Sequence, residues 1–362
     1  MSGVQAQSGA LTADPHSGGQ DASVAARRPR VSVIVPCRNE APYIEEFVAS
    51  VLRQKVPKGG MELIIADGMS DDGTRERLAE LRRVHPCLIV IDNPRRITST
   101  ALNAAIEHAR GEIIVRMDVH TVYESDYIAE CVRALEETGA TCVGGPWRPR
   151  GEHGLQRAIA RAFESRLGSG GALSRRADYT GPADTVYLGA WRRADLVRLG
   201  GFDECLVRNQ DDELNLRILR SGGKVWQCAR IRSWYKPRAS FRALFRQFYQ
   251  YGYWKIPVIL KHRLPASPRH LVPFGFVSAL TALFLLAPFL PAAGIAAAFI
   301  VLLYGGALLA STLSMRQAGN AAAVALAVAC MHFGYGIGFG HGLLDFVVLR
   351  RGPAEAMTRL TR

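Results

Sequence analysis

Every residue from Leu271 to Met315 is uncharged, and that run limits the fold more than any other feature of the chain. Within it, Leu271 to Leu290 and Ala292 to Leu313 each supply about the 20 apolar residues that a bilayer core demands. A third stretch, Ala321 to Leu344, is long enough too. It carries His332, His341 and glycines at alternate positions from Gly334 to Gly342, so it either spans or packs as a partly polar helix inside the protein. Three crossings would put Arg350 and Arg351 opposite a cytosolic catalytic part, against the positive-inside tendency. The preceding residues read as soluble sequence. The expected organisation is a disordered tail over 1–29, an α/β domain over 30–262, a membrane region over 263–350 with two or three helices, and a basic tail over 351–362. The expected location is the cell membrane, multi-pass, with the α/β domain cytoplasmic.

Lys plus Arg number 45 against 32 Asp plus Glu, a formal +13. The basic residues gather beside the apolar region at Lys255, Lys261, Arg263 and Arg269, which favours anionic lipid headgroups as partners over nucleic acid. Seven scattered cysteines without a C-x-x-C pair argue against a disulfide framework or a zinc site and fit a reducing cytosol. Met1 to Ala26 is rich in Ser, Gly, Ala and Gln and lacks the apolar core of a secretory signal.

From Val31 onward, short apolar runs alternate with helical stretches. The runs are Val31–Val35, Leu63–Ala66, Leu88–Ile91 and Ile113–Met117, and Ile44, Phe47, Val48 and Val51 form one helical face between the first two. A step of about 30 residues per strand, helix and strand is the period of βαβ units, hence a parallel, open α/β sheet. Further on, residues 150–180 suggest a mobile loop over the site. Thr185–Gly189 reads as a strand, Gly200–Asp203 as a turn, and an amphipathic helix begins near Asp211.

In such sheets ligands bind at the carboxyl ends of the strands. The exits are Pro36-Cys-Arg-Asn-Glu40, Asp67-Gly-Met-Ser-Asp-Asp-Gly-Thr74, Asp92-Asn-Pro94 and Asp118-Val-His120. Three of the four present a carboxylate at once. At Asp67 the small residues let a base or ribose approach while the carboxylate accepts hydrogen bonds, although Ser70 or Asp72 could simply cap the next helix. Asp118 and His120 lie one residue apart on a chain leaving a strand, where both can share a divalent cation on a diphosphate. The carboxylate and imidazole pair suits Mn²⁺ better than Mg²⁺; a solvated Asp beside a surface His is the alternative.

These exits, together with Asn93-Pro94, Leu102-Asn103 and Ala109–Ile114, resemble family 2 glycosyltransferases with a GT-A fold, a Rossmann-like open mixed sheet. More narrowly, the chain resembles the succinoglycan-type exopolysaccharide glucosyltransferases, over roughly residues 31 to 350. The resemblance implies that Pro36, Arg38, Asn39, Glu40, Asp67, Asn103 and Asp118 serve a nucleotide diphosphate sugar, UDP-glucose or similar. It also implies that Asp118 and His120 stand at the Asp-x-Asp position that holds Mn²⁺ or Mg²⁺. Gln210-Asp-Asp-Glu-Leu-Asn-Leu-Arg217 resembles the family's acidic acceptor-side segment, which makes Asp211 the match to the catalytic base and Asp212 its near alternative. Gln247-Phe-Tyr-Gln-Tyr251 resembles the Gln-x-x-Arg-Trp segment of processive members with Gln250 and Tyr251 substituted, and with Gly189 it implies acceptor contacts.

A base is what the chemistry wants, because an acceptor hydroxyl is a weak nucleophile. The resemblance implies a membrane-bound enzyme for inverting transfer of a hexose from a nucleotide diphosphate sugar to a hydroxyl of a lipid-linked saccharide, in exopolysaccharide or cell-envelope glycan synthesis. The alternatives are transfer to a polyprenyl phosphate, which needs no base, or a non-catalytic nucleotide-binding scaffold. Tyr249, Tyr253 and Trp254 are expected in an interfacial belt, and Trp147, Trp191 and Trp226 in either the core or the acceptor pocket.

Overall fold

The computed structural model describes residues 28–265, 267–313 and 320–358, so the expected N-terminal tail lies almost wholly outside the described residues. The strands are β1 (Val31–Cys37), β2 (Met61–Asp67), β3 (Leu88–Asp92), β4 (Ile113–Arg116), β5 (Thr121–Tyr123), β6 (Cys142–Gly145), β7 (Arg148–Pro149), β8 (Gly181–Pro182), β9 (Tyr187–Arg192), β10 (Val225–Gln227) and β11 (Ser233–Tyr235). The main sheet runs β3-β2-β1-β4-β9-β6-β10-β8 and a small second sheet runs β5-β11-β7. β1 to β4 are mutually parallel as the βαβ period requires, whereas β9 is antiparallel to both β4 and β6, so the sheet is mixed.

Helices α1 (Ile44–Leu52), α2 (Thr74–Val84), α3 (Thr98–His108) and α4 (Tyr127–Thr138) follow their strands. Side chains alternate across a strand, and the sheet therefore separates two cores. Val31, Val33 and Val35 meet α1 and α4 on one face; Ile34, Ile64 and Ile114 meet α3 on the other. Near-continuous burial of β1 and β2 is what a sheet covered on both faces gives.

Residues 150–180 are not one loop: they form α5 (Gly154–Glu164), α6 (Arg166–Ser169) and a single 3₁₀ turn at Leu173–Arg175. Helices α7 (Arg193–Arg198), α8 (Gln210–Arg220) and α9 (Phe241–His262) complete the α/β domain. Then come α10 (Val272–Leu286), α11 (Pro291–Leu313), α12 (Ala321–Leu343) and a short α13 (Glu355–Thr358).

Three of the described helical segments are long and apolar enough to cross a membrane, but they are not alike. In their apolar windows 6% of Pro268–Leu286 and 11% of Pro291–Leu313 is buried, against 44% of Ala321–Val348. The first half of α12 packs Val324, Ala327, Val328 and Met331 on Ile159, Ala162 and Phe163 of α5. Its second half explains the alternating glycines. A side chain at Gly334, Gly338 or Gly342 would strike the carbonyls of Phe245, Tyr249 and Tyr253 on α9, while one at Gly336 would strike the carbonyl of Pro273 on α10. Gly340 faces the Phe274 ring. Two interleaved i, i+4 stripes of small residues thus let α12 approach α9 on one side and α10 on the other.

Several expectations are corrected here. Tyr253 and Trp254 are 0% and 2% exposed, so they form no interfacial belt: the Tyr253 hydroxyl donates to Asp345 at 2.7 Å and Trp254 Nε1 to the Met357 carbonyl at 3.0 Å. Tyr249 hydrogen-bonds His341 at 2.8 Å. Lys255 pairs with Asp212 rather than reaching out to headgroups. Within the expected basic tail over 351–362, Met357 packs beside Leu206, Val207 and Trp254 of the α/β domain.

Candidate active site

The carboxyl ends of β1, β2 and β4 open into one cleft of about 1320 Å³, larger than the roughly 300–1,000 Å³ that usually houses a single small ligand. It is lined by Pro36, Arg38, Asn39 and Glu40 after β1, Gly68 after β2, Asp118 and His120 after β4, and Gln210, Asp211 and Asp212 at the start of α8. Gln247 and Tyr251 of α9, Val272 and Pro273 of α10, and Tyr335 of α12 line it as well. Ten lining Arg and Lys residues face four carboxylates, so the cleft attracts anions.

The β1 exit is held by the β2 exit. Asn39 adopts a positive φ of 56°. Its backbone N–H donates to Ser70 Oγ at 2.8 Å and its side-chain amide to Asp71 at 2.9 Å. The Glu40 N–H donates to Thr74 Oγ1 at 2.9 Å. Asp72 accepts from Thr74 N–H at 3.1 Å, an Asx turn just ahead of the α2 N-cap Gly73. Asp67 is 1% exposed, accepting from Ser70 N–H at 3.0 Å and Arg75 at 2.9 Å. It braces this turn, and its neighbour Gly68, not Asp67 itself, lines the cleft.

At the centre sits Arg116, the last residue of β4, only 5% of its side chain exposed. Its Nε and Nη2 donate to the two Asp118 oxygens at 3.1 and 3.2 Å, and its Nη1 donates to Asp211. Burial alone would lower the guanidinium; Asp118 and Asp211 outweigh it and hold its pKa above the ordinary arginine value. Burial pushes the Asp211 carboxyl up to about 6, with Asp118 and Asp212 adding to the rise and Arg116 opposing it. Asp212 behaves differently. Burial raises it, but Lys255, whose ammonium donates at 2.6 Å, wins and holds it below the ordinary carboxylate range. Of the two acidic residues at the start of α8, Asp211 is the one tuned toward neutral pH, as a general base requires.

Asp118 is fixed from behind, its N–H donating to the Tyr123 hydroxyl at 2.6 Å. His120 Nδ1 lies 3.6 Å from a Glu40 oxygen. Among the described residues no group of three or more His, Cys, Asp and Glu side chains is suited to a metal ion. The donor set at Asp118 and His120 still fits a divalent cation, provided that diphosphate oxygens supply the remaining ligands.

Other expected site residues fall elsewhere. Asn103 donates to the Phe202 carbonyl at 2.8 Å and accepts from the Phe202 N–H at 2.8 Å; it fastens α3 to the Gly200–Asp203 turn and does not line the cleft. Gly189 stands in β9 with φ 124°, where a side chain would meet the Trp191 ring, which is a packing constraint. Gln250 is fully buried and accepts from Arg208 at 3.2 Å, behind the wall. Gln247 does face the cleft, donating to the hydroxyls of Tyr235 and Tyr251 at 3.1 and 2.9 Å.

Two cleft residues were not anticipated. Arg116 had a signal, since a charge ending the buried run Ile113-Ile-Val-Arg116 needs a buried partner. Arg175 had none: it lies in a Gly and Ser-rich stretch, yet its guanidinium stacks 3.5 Å over Trp147 and burial pulls it down to about 10. Trp147 is thereby the cleft tryptophan, whereas Trp191 and Trp226 belong to the cores.

The sequence matches the family described as Glycosyl transferase family 2 over residues 32–199. It is 33% identical over 321 residues to "Succinoglycan biosynthesis protein ExoA" of Rhizobium meliloti (strain 1021), spanning 87% of this chain and 95% of that one. It is 27% identical over 259 residues, 68% of this chain and 78% of the other, to "Dolichyl N-acetyl-alpha-D-glucosaminyl phosphate 3-beta-D-2,3-diacetamido-2,3-dideoxy-beta-D-glucuronosyltransferase" of Methanococcus voltae. Among solved structures, "Mannosyltransferase PcManGT from Pyrobaculum calidifontis in complex with GDP-Man and Mn2+" superposes with a TM-score of 0.58 at 25% identity, covering 84% of this chain and 88% of that one. With an open mixed sheet, acidic strand exits and a full-length relative at this identity, the chain belongs to glycosyltransferase family 2 and has the GT-A fold.

Proposed function

We propose that the protein is an inverting hexosyltransferase that takes a sugar from a nucleotide diphosphate donor, UDP-glucose or similar, and passes it to a hydroxyl of a lipid-linked saccharide at the membrane surface. The observation that carries this reading is Asp211: a carboxyl raised to about 6, lining the same cleft as Asp118 and His120. A group with that pKa is largely ionised at pH 7 and still basic enough to accept a proton from an attacking hydroxyl. Transfer to a polyprenyl phosphate would need no base, so the tuning of Asp211 favours the hydroxyl acceptor.

Pro36 to Glu40 bind the nucleotide, with Asp67 positioning their loop through Ser70. Asp118 and His120 would hold a divalent cation, which would supply charge neutralisation for the diphosphate leaving group; the complex of the similar mannosyltransferase with GDP-Man and Mn²⁺ supports that reading. Asp211 takes the acceptor proton while Arg116 keeps its carboxylate oriented. The α10 and α11 hairpin crosses the bilayer, and α12 stays with the cytoplasmic catalytic domain; the return of residues 351–358 to that domain supports this topology and keeps Arg350 and Arg351 inside.

The test is a panel of nucleotide sugars offered with Mn²⁺ to purified protein in nanodiscs, followed by NMR of the product's anomeric proton. One donor giving a product of inverted configuration is expected. Retention of configuration, or no turnover of any donor with a native membrane extract as acceptor source, would refute the reading.

A further inference from the structure

The pair Asp211 and Asp212 divides the cleft. Asp211 looks through Arg116 toward Asp118 and the β1 exit. Asp212 looks the other way, paired with Lys255 and within electrostatic reach of Arg269 and His270. Arg175, His270 and Tyr335 lie within electrostatic reach of Asp212, and Arg175 stacks on Trp147. In these four residues a buried polar atom has no hydrogen-bond partner among the described residues, namely Trp147 Nε1, Arg175 Nη1, His270 Nδ1 and the Tyr335 hydroxyl. All four residues line the one cleft. They come from four separate segments, the stretch after β6, the 3₁₀ turn before β8, the entry to α10, and α12.

Buried donors without partners are costly unless a ligand satisfies them. Nearly all of these can donate, and Arg175 carries a charge that burial disfavours, so the ligand that satisfies them is an anion rich in acceptor oxygens. Val272, Pro273 and Met331 continue the wall beyond this cluster. They lead to the α10 and α11 hairpin, whose Phe284, Leu285, Phe289, Leu302 and Leu303 are exposed and suited to lipid.

We propose that this end of the cleft is a subsite for the diphosphate of a polyprenyl diphosphate carrier, with Arg175 and Tyr335 gripping the diphosphate and Val272, Pro273 and Met331 receiving the first prenyl units. The inference deepens the acceptor half of the function proposed above and rests on it only for the saccharide that the carrier bears. The subsite anchors the acceptor by its linkage, which leaves the sugar hydroxyl free to reach Asp211. Tethering of this kind raises the local concentration of the nucleophile without a new contact at the reacting atoms.

Calorimetry on the full-length protein in nanodiscs, with UDP and Mn²⁺ saturating, tests it with three probes: farnesyl diphosphate, farnesol and inorganic diphosphate. Farnesyl diphosphate is expected to bind at least about tenfold more tightly than either of the others, because it alone presents both charge and chain. Arg175→Gln should weaken it about tenfold or more, and Tyr335→Phe, a change that preserves packing, about threefold. UDP affinity, measured on the same samples, should not move, and it also reports correct folding of each variant. Equal binding of farnesol would mean an apolar groove only; equal binding of inorganic diphosphate would mean a simple anion site; an unaltered affinity in both variants would mean the wrong residues. Each of these overturns the proposal. Loss of UDP binding by the wild type with farnesyl diphosphate binding retained would instead sink the donor assignment and leave the subsite standing.

Discussion

Replacing Asp211 by Asn should cripple turnover and stabilise the fold, and the two effects share one cause. The wild-type carboxyl titrates near 6 against an ordinary 3.8. A difference of about 2 pH units, at ~1.4 kcal/mol each, amounts to ~3 kcal/mol for a sealed site. A third of the side chain remains open to the cleft, and water there screens the penalty to about 1–2 kcal/mol. Because the folded-state pKa is raised, the folded protein holds the proton more firmly than the unfolded chain. This contribution to stability is therefore fully present below about pH 4 and is lost as pH rises through about 6, so at pH 7.5 the native state bears the cost. Asn has nearly the same shape and no charge to desolvate, and Arg116 keeps Asp118 as its partner. Thermal unfolding at pH 7.5 should shift upward by roughly 2–6 °C. The turnover number should fall about 10²-fold or more with little change in donor KM, and the wild-type rate should decline as pH drops below about 6. A variant that is both less stable and fully active, or a wild-type rate flat from pH 5 to 8, would refute the assignment of base and the balance of charges at Arg116.

Other positions make independent predictions. Gly338→Leu should drive a side chain into the Tyr249 carbonyl and destabilise the α9–α12 contact by about 1–3 kcal/mol; Gly305→Leu, in open space on α11, should be neutral, and limited proteolysis with thermal unfolding compares the two. Asn103→Ala should cost about 1–3 kcal/mol by leaving both polar backbone groups of Phe202 unmatched, yet leave donor KM within about twofold, whereas a residue that touched the nucleotide would move KM. His120→Asp should shift the activating cation from Mn²⁺ toward Mg²⁺, read as the ratio of rates after chelation and re-addition of each metal; an unchanged ratio would remove His120 from the metal site.

Those outcomes also measure how far residues can be read before a structure is known. The parallel half of the sheet was legible because apolar runs with a constant βαβ period leave few other folds, and the exits of β1 and β4 did deliver Pro36–Glu40, Asp118 and His120 to one cleft. What spacing could not tell was side-chain direction. Asp67 and Asp118 both leave strand ends, but Ser70 and Arg75 claim the first while the second faces the cleft. Asn103 looked like part of a donor motif and fastens Phe202 instead. The glycines of α12 were visible as a pattern, yet their meaning needed α9, a helix some eighty residues earlier, to come alongside. Arg175 depends on Trp147, which comes from a separate segment of the chain, and no local pattern encodes such a partner.

In the proposed reaction Asp211 activates a hydroxyl on an acceptor held at the membrane side of the cleft. Its most direct test gives wild type and Asp211→Asn, each in nanodiscs with native polyprenyl-linked saccharides, a donor labelled in the sugar, and follows the label into the organic phase. Wild type should transfer label to lipid in step with release of the nucleoside diphosphate, and Asp211→Asn should do so at least about a hundredfold more slowly. Undiminished lipid labelling by Asp211→Asn, or label that the wild type leaves entirely in water as free sugar, would contradict the account.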